Sequence, residues 1–284
     1  MAKTKKTEDE FVTSVYINPL TDFGFKKLFL NKDLLIAFLN DVVGTNIKDI
    51  QYQPTESLGE QADERTAIFD LLCTTETGEY FIVEMQLGTQ VYFRDRALFY
   101  ASHVIRKQAP RKKYWNYNLN AVYVVSILDF ITFTEEATNN EVIERVYLYR
   151  EKARKRYSDK LNLVFVELPK FNKQVTELKN NTETWLFLLK YTFELNACPP
   201  EITGKIFRRF LELAEVKQLT PTEMEIYKKS LKNNRFIRNM TNSVRADERR
   251  QIAIKLLQRK TPIEDVVSLT ELTTEQVQEL LKEF

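Results

Sequence analysis

Residues 66–87 hold two apolar runs of strand length, TAIFDLLCTT (66–75) and EYFIVEMQL (79–87), separated by Glu76-Thr77-Gly78. Two such runs joined by a short turn with a glycine predict an antiparallel hairpin. Polar residues interrupt both runs. Asp70 lies between Phe69 and Leu71, and Glu84 and Gln86 break the second run. Strand side chains alternate, so Glu84 and Gln86 share a face and Met85 points the other way. Pairing through a tight turn can bring Asp70 beside Glu84. Two readings stay open. Both acids face solvent on an edge hairpin, or they meet at the rim of a sheet. In the second case their repulsion calls for a cation between them, and a divalent ion with oxygen ligands supplies it.

Composition narrows the chemistry. The chain has 284 residues, enough for one large or two modest domains, and 43% hydrophobic and 12% aromatic residues can fill a sizeable core. A single histidine, His103, excludes any site that needs two imidazoles. Two cysteines, Cys73 and Cys198, exclude a disulfide framework and an all-cysteine metal cage. Any metal here is held mostly by oxygens, which favours Mg²⁺, Mn²⁺ or Ca²⁺. No apolar run approaches the ~20 residues of a membrane span. The first residues form a charged tail (1–15) without the apolar core of a secretory signal, and a reducing, cytoplasmic setting is expected.

The net charge of +2 does not by itself argue for nucleic acid; its distribution says more. Arg106, Lys107, Arg111, Lys112 and Lys113 precede Tyr114, Trp115 and Tyr117. Residues 145–160 hold seven basic residues against Glu151 and Asp159. Such clusters are either solvated surface or neutralise phosphates.

Periodicity gives the remaining elements. Residues 22–43 read as one helix or two short ones broken near Asn31, ended by Gly44. A short strand is expected within 47–54, a loop over 55–64, and a helix over 92–108. LNAVYVVSIL (119–128) suits a strand buried on both faces. Two more strands fall at 143–150 and 161–168, stopped by Pro169. From Thr182 onward the pattern is helical: about 182–195, 201–217, 221–232 and 245–259, then two short helices. Thr261-Pro262 opens the first of these, and a capping box of Thr273 and Gln276 opens the second. Cys73 lies on the face opposite Asp70, as core. His103 reads as a packing or surface residue.

Asp70, followed after a gap of thirteen residues by Glu84-Met85-Gln86, resembles the PD-(D/E)xK nuclease signature in its D…ExQ form. Six blocks in order extend the likeness: DFGFKKLF (22–29), LLIAFLNDVVG (34–44), IFDLLCTTETGEYFIVEMQ (68–86), RDRALFYASHVIRKQ (94–108), AVYVVSILDF (121–130) and FVELPKF (165–171). Together they resemble the PD-(D/E)xK nuclease family transposases, the recombination-promoting nuclease group. The resemblance implies an α/β fold with a restriction-endonuclease-like α-β-β-β-α-β core and a mixed sheet. Residues 16–195 would form the nuclease-like domain and 196–284 an all-α C-terminal region. It implies a metal-dependent DNA endonuclease that hydrolyses phosphodiesters with Mg²⁺, or Mn²⁺ in its place. Asp70, Glu84 and Gln86 would be catalytic. Asp70, Glu84, the Met85 carbonyl and Asp22 would ligate the metal. Lys26, Arg96, Arg106, Lys107, Arg111, Lys112 and Lys113 would hold DNA, and the basic stretch at 145–160 would help. Arg96, Tyr100 and Gln108 belong to one block; the first two are i, i+4 on one helix face. Asp22 also suits the first turn of a helix, where it favours the dipole. Gln86 stands where the commoner signature has Lys; it hydrogen-bonds but carries no charge. The alternative is a catalytically weak or inactive nuclease fold that binds DNA or a partner. The last helices resemble a helix-turn-helix. Residues 270–284 carry one Lys against four Glu, a poor match to phosphates, so self-association or packing is expected of them.

Overall fold

The computed structural model describes residues 14–57, 67–109, 114–134 and 140–282. The chain divides into two compact units, residues 1–232 and 233–284.

The first unit opens with α1 (Asp22–Phe29) and α2 (Lys32–Val43). They are two helices rather than one because Asn31 caps the second, accepting from the Leu34 N–H (3.2 Å). Thr21 caps α1 in the same way. Gly24 of α1 is fixed by a close approach: a Cβ there would sit 2.1 Å from the Asn18 carbonyl oxygen.

Six strands form one mixed sheet in the order β1-β4-β5-β6-β10-β7. They are β1 (Ile50–Tyr52), β4 (Leu71–Thr75), β5 (Tyr80–Gln86), β6 (Val122–Leu128), β7 (Ile143–Tyr147) and β10 (Leu161–Glu167). β5, β6 and β10 run parallel; the others are antiparallel to their neighbours. The β4–β5 hairpin turns at Gly78, whose φ of 89° suits glycine. β6 lies between two parallel neighbours, and its near-continuous apolar sequence reflects burial on both faces. The run expected as one strand over 66–75 is two, β3 (Ala67–Ile68) and β4, because the chain breaks at Asp70. β3 pairs instead with β2 (Glu56–Ser57). The strand expected over 143–150 likewise splits, and β8 (Tyr149–Arg150) with β9 (Lys155–Arg156) forms a small basic hairpin.

α3 (Phe93–Lys107) covers one face of the sheet. Phe93, Ala97, Tyr100, Ala101 and Val104 pack on Leu72, Ile82, Val124, Leu128 and Phe165. Among the helices α1, α2, α4 (Asn181–Tyr191) and α5 (Lys205–Ala214) there is a second, aromatic cluster. Trp185 is fully buried there, with Phe38, Phe207 and Phe210 rings at 5.7, 5.0 and 5.8 Å. Its indole N–H donates to Asp41 (2.8 Å).

α6 runs unbroken from Pro221 to Gln258. The expected two helices at 221–232 and 245–259 are therefore one. Residues 233–244 contain neither Gly nor Pro to end a helix, only residues, many of them polar, whose modest propensity weakens a helix without forbidding it. Its first turns fasten α1: Tyr227 accepts from the Asn18 N–H (2.8 Å), Ser230 from the Phe23 N–H (3.1 Å), and Glu223 pairs with Lys27 (2.5 Å).

In the second unit, Ala253, Leu257, Val266, Val277 and Leu280 form a small core. α7 (Ile263–Thr270) and α8 (Thr274–Leu281) follow there, and the Thr273–Gln276 capping box is present as expected. The expected tail at 1–15 lies, but for residues 14 and 15, outside the described residues.

Candidate active site

The site forms where the β4 chain breaks. The pairing Leu71↔Val83 carries Asp70 to the level of Glu84. The Asp70 N–H donates to Glu84 Oε1 (3.1 Å), and the Met85 N–H donates to Asp70 Oδ2 (2.8 Å). Each carboxylate thus takes the place of a ladder carbonyl on the opposite strand. Aspartate competes with regular pairing in this way, which is why the strand ends there.

Burial and mutual repulsion dominate the electrostatics. Glu84 is 2% exposed. Burial, then the charge of Asp70, pushes its carboxyl up to about 8, against the pull of Arg96 and Lys26. Burial also raises Asp70, opposed by the Met85 N–H and by Lys26 and Arg96. Two acids with raised pKa values side by side hold a proton at neutral pH unless a cation compensates them.

Arg96 organises the other side. Its guanidinium lies 3.6 Å from Glu84, donates to Gln86 Oε1 (3.0 Å) and Gln90 Oε1 (3.0 Å), and donates from Nε to the Tyr100 hydroxyl (2.9 Å). Arg96 and Tyr100 are one turn apart on α3, so one helix face delivers both. Gln86 carries no charge, but a positive charge is bound to it.

The structure brings Asp70, Glu84, Gln86, Arg96 and Tyr100 together. Asp22 and Lys26 are close enough to act on Asp70 through space, and they pair with each other at 2.7 Å. The Asp22 side chain is 63% exposed. Among the described residues no three His, Cys, Asp or Glu side chains gather as a ready-made metal cage. Arg106 and Lys107 lie at the other end of α3 from Arg96, and Gln108 there bonds the Asn120 backbone. Arg111, Lys112 and Lys113 lie outside the described residues. Cys73 is fully buried, and burial alone pushes its thiol up to about 12. His103 packs against the Phe99 ring at 4.5 Å.

Sequence reasoning missed Ser126. It pairs with Glu84 across the parallel β5–β6 ladder, so both side chains share a face. It is fully buried, and its hydroxyl has no hydrogen-bond partner among the described residues. One serine in the apolar run AVYVVSIL was the available signal. Asp129 was also missed: its carboxylate accepts from the Gly88 N–H (2.7 Å) and closes the rim behind Gln86. Glu167 steadies the same end, pairing with Lys170 at 2.7 Å and accepting from the Thr132 and Phe133 N–H groups.

No helix among the described residues is long and apolar enough to cross a membrane. Neither a curated protein nor a solved structure matches the chain significantly. A family model described as PD-(D/E)XK nuclease family transposase matches residues 19–243, more than three quarters of the chain. That span contains the α/β sheet, the Asp70–Glu84 pair and α3, and the chain belongs to the PD-(D/E)XK nuclease family transposases.

Proposed function

We propose that this protein is a metal-dependent DNA endonuclease that hydrolyses phosphodiester bonds. Family membership supports the coarser statement, a nuclease-like function on DNA. The observation that carries the finer one is the reciprocal pair of a half-buried Asp70 and a buried Glu84, both acids and both with raised pKa values. A divalent cation relieves that repulsion, and carboxylate oxygens are the hard donors that Mg²⁺ or Mn²⁺ prefers. The donor set therefore fits such an ion. Asp70 and Glu84 would hold it with the Met85 carbonyl, and Asp22 would join from the edge. When bound, the cation supplies Lewis-acid activation of water and charge neutralisation at the phosphate.

The chain's own groups do the rest. Arg96 favours the ionised form of Glu84 by its adjacent charge, and it holds the Gln86 carbonyl toward itself. It thereby brings to the neighbourhood of Gln86 the positive charge that Lys carries in the commoner signature. Lys26, half-exposed and paired with Asp22, would meet a phosphate. The division into a nuclease-like domain at 16–195 and a helical region at 196–284, self-association through that region and a cytoplasmic location complete the reading. A second reading, a weak or inactive nuclease fold that binds DNA, is favoured by Gln86 alone.

Plasmid nicking tests the choice, with Mg²⁺, Mn²⁺ and EDTA beside an Asp70→Ala preparation. Metal-dependent nicking that Asp70→Ala abolishes is expected. No nicking with any metal, with DNA binding intact in both proteins, selects the second reading.

A further inference from the structure

Two basic stretches lie away from the carboxylates. Arg106 is ten residues past Arg96 on α3, ~15 Å along the helix. Tyr80, Val122 and Leu161 mark the N-terminal ends of the three parallel strands, and Tyr80 is four residues from Glu84, ~13 Å along the strand. At this end the Val122 N–H donates to the Lys160 carbonyl (2.8 Å), and Gln108 holds Asn120 through Oε1 (2.7 Å). The end of α3, the segment entering β6 and the β8–β9 hairpin therefore share one edge of the first unit.

The hairpin is a built arm. Tyr149 pairs with Arg156 and Arg150 with Lys155. The Tyr157 N–H donates to the Leu148 carbonyl (2.8 Å). Arg156 stacks on the Tyr147 ring (4.0 Å) and bonds Asn162, which fixes the root. Residues 148–157 are all exposed. Rings as well as charges face solvent at this edge: Tyr114 is 97% exposed, Tyr117 80%, Tyr157 72% and Tyr149 59%.

Solvation explains exposed Arg and Lys, but it gives no reason for the hairpin to expose the Tyr149 and Tyr157 rings among them, with Tyr114 and Tyr117 exposed on the segment that leads into β6. Cations interleaved with rings match a chain whose phosphates need neutralising and whose bases offer free faces for stacking. A duplex hides those faces. We propose that this edge binds a single-stranded polynucleotide, at a surface separate from the Asp70–Glu84 site. The proposal rests on the nucleic-acid part of the reading above and not on cleavage.

Fluorescence anisotropy with labelled oligo(dT) of about 20 nucleotides tests it, at salt concentrations around 0.1 M. The proteins are wild type, a triple variant Arg150→Glu/Lys152→Glu/Lys155→Glu and a ring variant Tyr149→Ser/Tyr157→Ser. Matching melting curves control for folding of the triple and ring variants, whose substituted residues are all exposed. The triple variant is expected to bind ~10-fold or more weaker, with the log–log salt slope shallower by ~2. The ring variant is expected to lose ~10-fold on oligo(dT), with its salt slope unchanged and no loss on a duplex of equal length. Unchanged oligo(dT) binding by either the triple or the ring variant overturns the proposal, as does failure to bind both oligo(dT) and oligo(rU). Tighter binding of oligo(rU) identifies RNA as the strand held; tighter binding of oligo(dT) identifies DNA. A wild type that binds through this edge yet nicks no plasmid overturns the endonuclease reading alone.

Discussion

The two ends of the parallel strands treat charge in opposite ways. At the C-terminal end, Glu84 and Glu167 are buried to 2% and 0% exposure and are held by backbone N–H groups and single cations. At the N-terminal end, Arg150, Lys152 and Lys155 stand in water on a hairpin. Buried charge is costly and strongly perturbed; solvated charge is cheap and screened. The first end is therefore where fold stability and chemistry conflict. The second can carry many charges with little consequence for folding.

The largest expected effect breaks the buried end. Glu167→Ala removes the carboxylate that pairs with Lys170, whose side chain is only 3% exposed, and the acceptor for Thr132 and Phe133. A loss of about 3–5 kcal/mol in denaturant unfolding is expected. A loss below about 1 kcal/mol would mean that water reaches this pair.

A pH test sharpens the contrast. Glu84 has an ordinary pKa of 4.5 and about 8 when folded. Between these values the folded state holds a proton that the unfolded state has released, so the contribution of Glu84 to stability is full at low pH and is lost as pH rises toward 8. The neighbours acting on Glu84 are Asp70, Arg96 and Lys26, and Asp70 is raised in the same sense. In EDTA, Glu84→Gln is expected to melt ~5 °C above wild type at pH 8, with the gap closing near pH 5. Millimolar Mg²⁺ is expected to raise the wild-type melting temperature at pH 8 and leave Glu84→Gln unmoved.

Ser126→Ala removes a buried hydroxyl without a partner among the described residues, and a gain of about 1 kcal/mol is expected. Destabilisation would mean that a bound water satisfies Ser126. At the other end, the Arg150/Lys152/Lys155 reversals are expected to change stability by less than about 0.5 kcal/mol.

Much of this was legible beforehand. The hairpin, the double-sided burial of β6, the possible break near Asn31 and the Thr273–Gln276 box are local patterns, and local sequence sets them. The approach of Asp70 to Glu84 was legible because one turn fixes one register. The break at Asp70 was not, because it depends on side chains replacing ladder bonds. The unbroken α6 was missed because polar residues lower helix propensity without forbidding a helix.

The chain order alone determined that two acids sit on neighbouring strands and that basic residues cluster in two stretches. Tertiary structure decided where those groups point. Parallel pairing of β5 with β6 put Ser126 beside Glu84, forty-two residues apart in sequence. The return of α3 along the sheet set Arg96 at the carboxylates and carried Arg106 and Lys107 to the far edge. Local periodicity records which face a residue takes, but the end of a sheet it reaches depends on strand direction and crossover. Those are fixed only when the whole core packs.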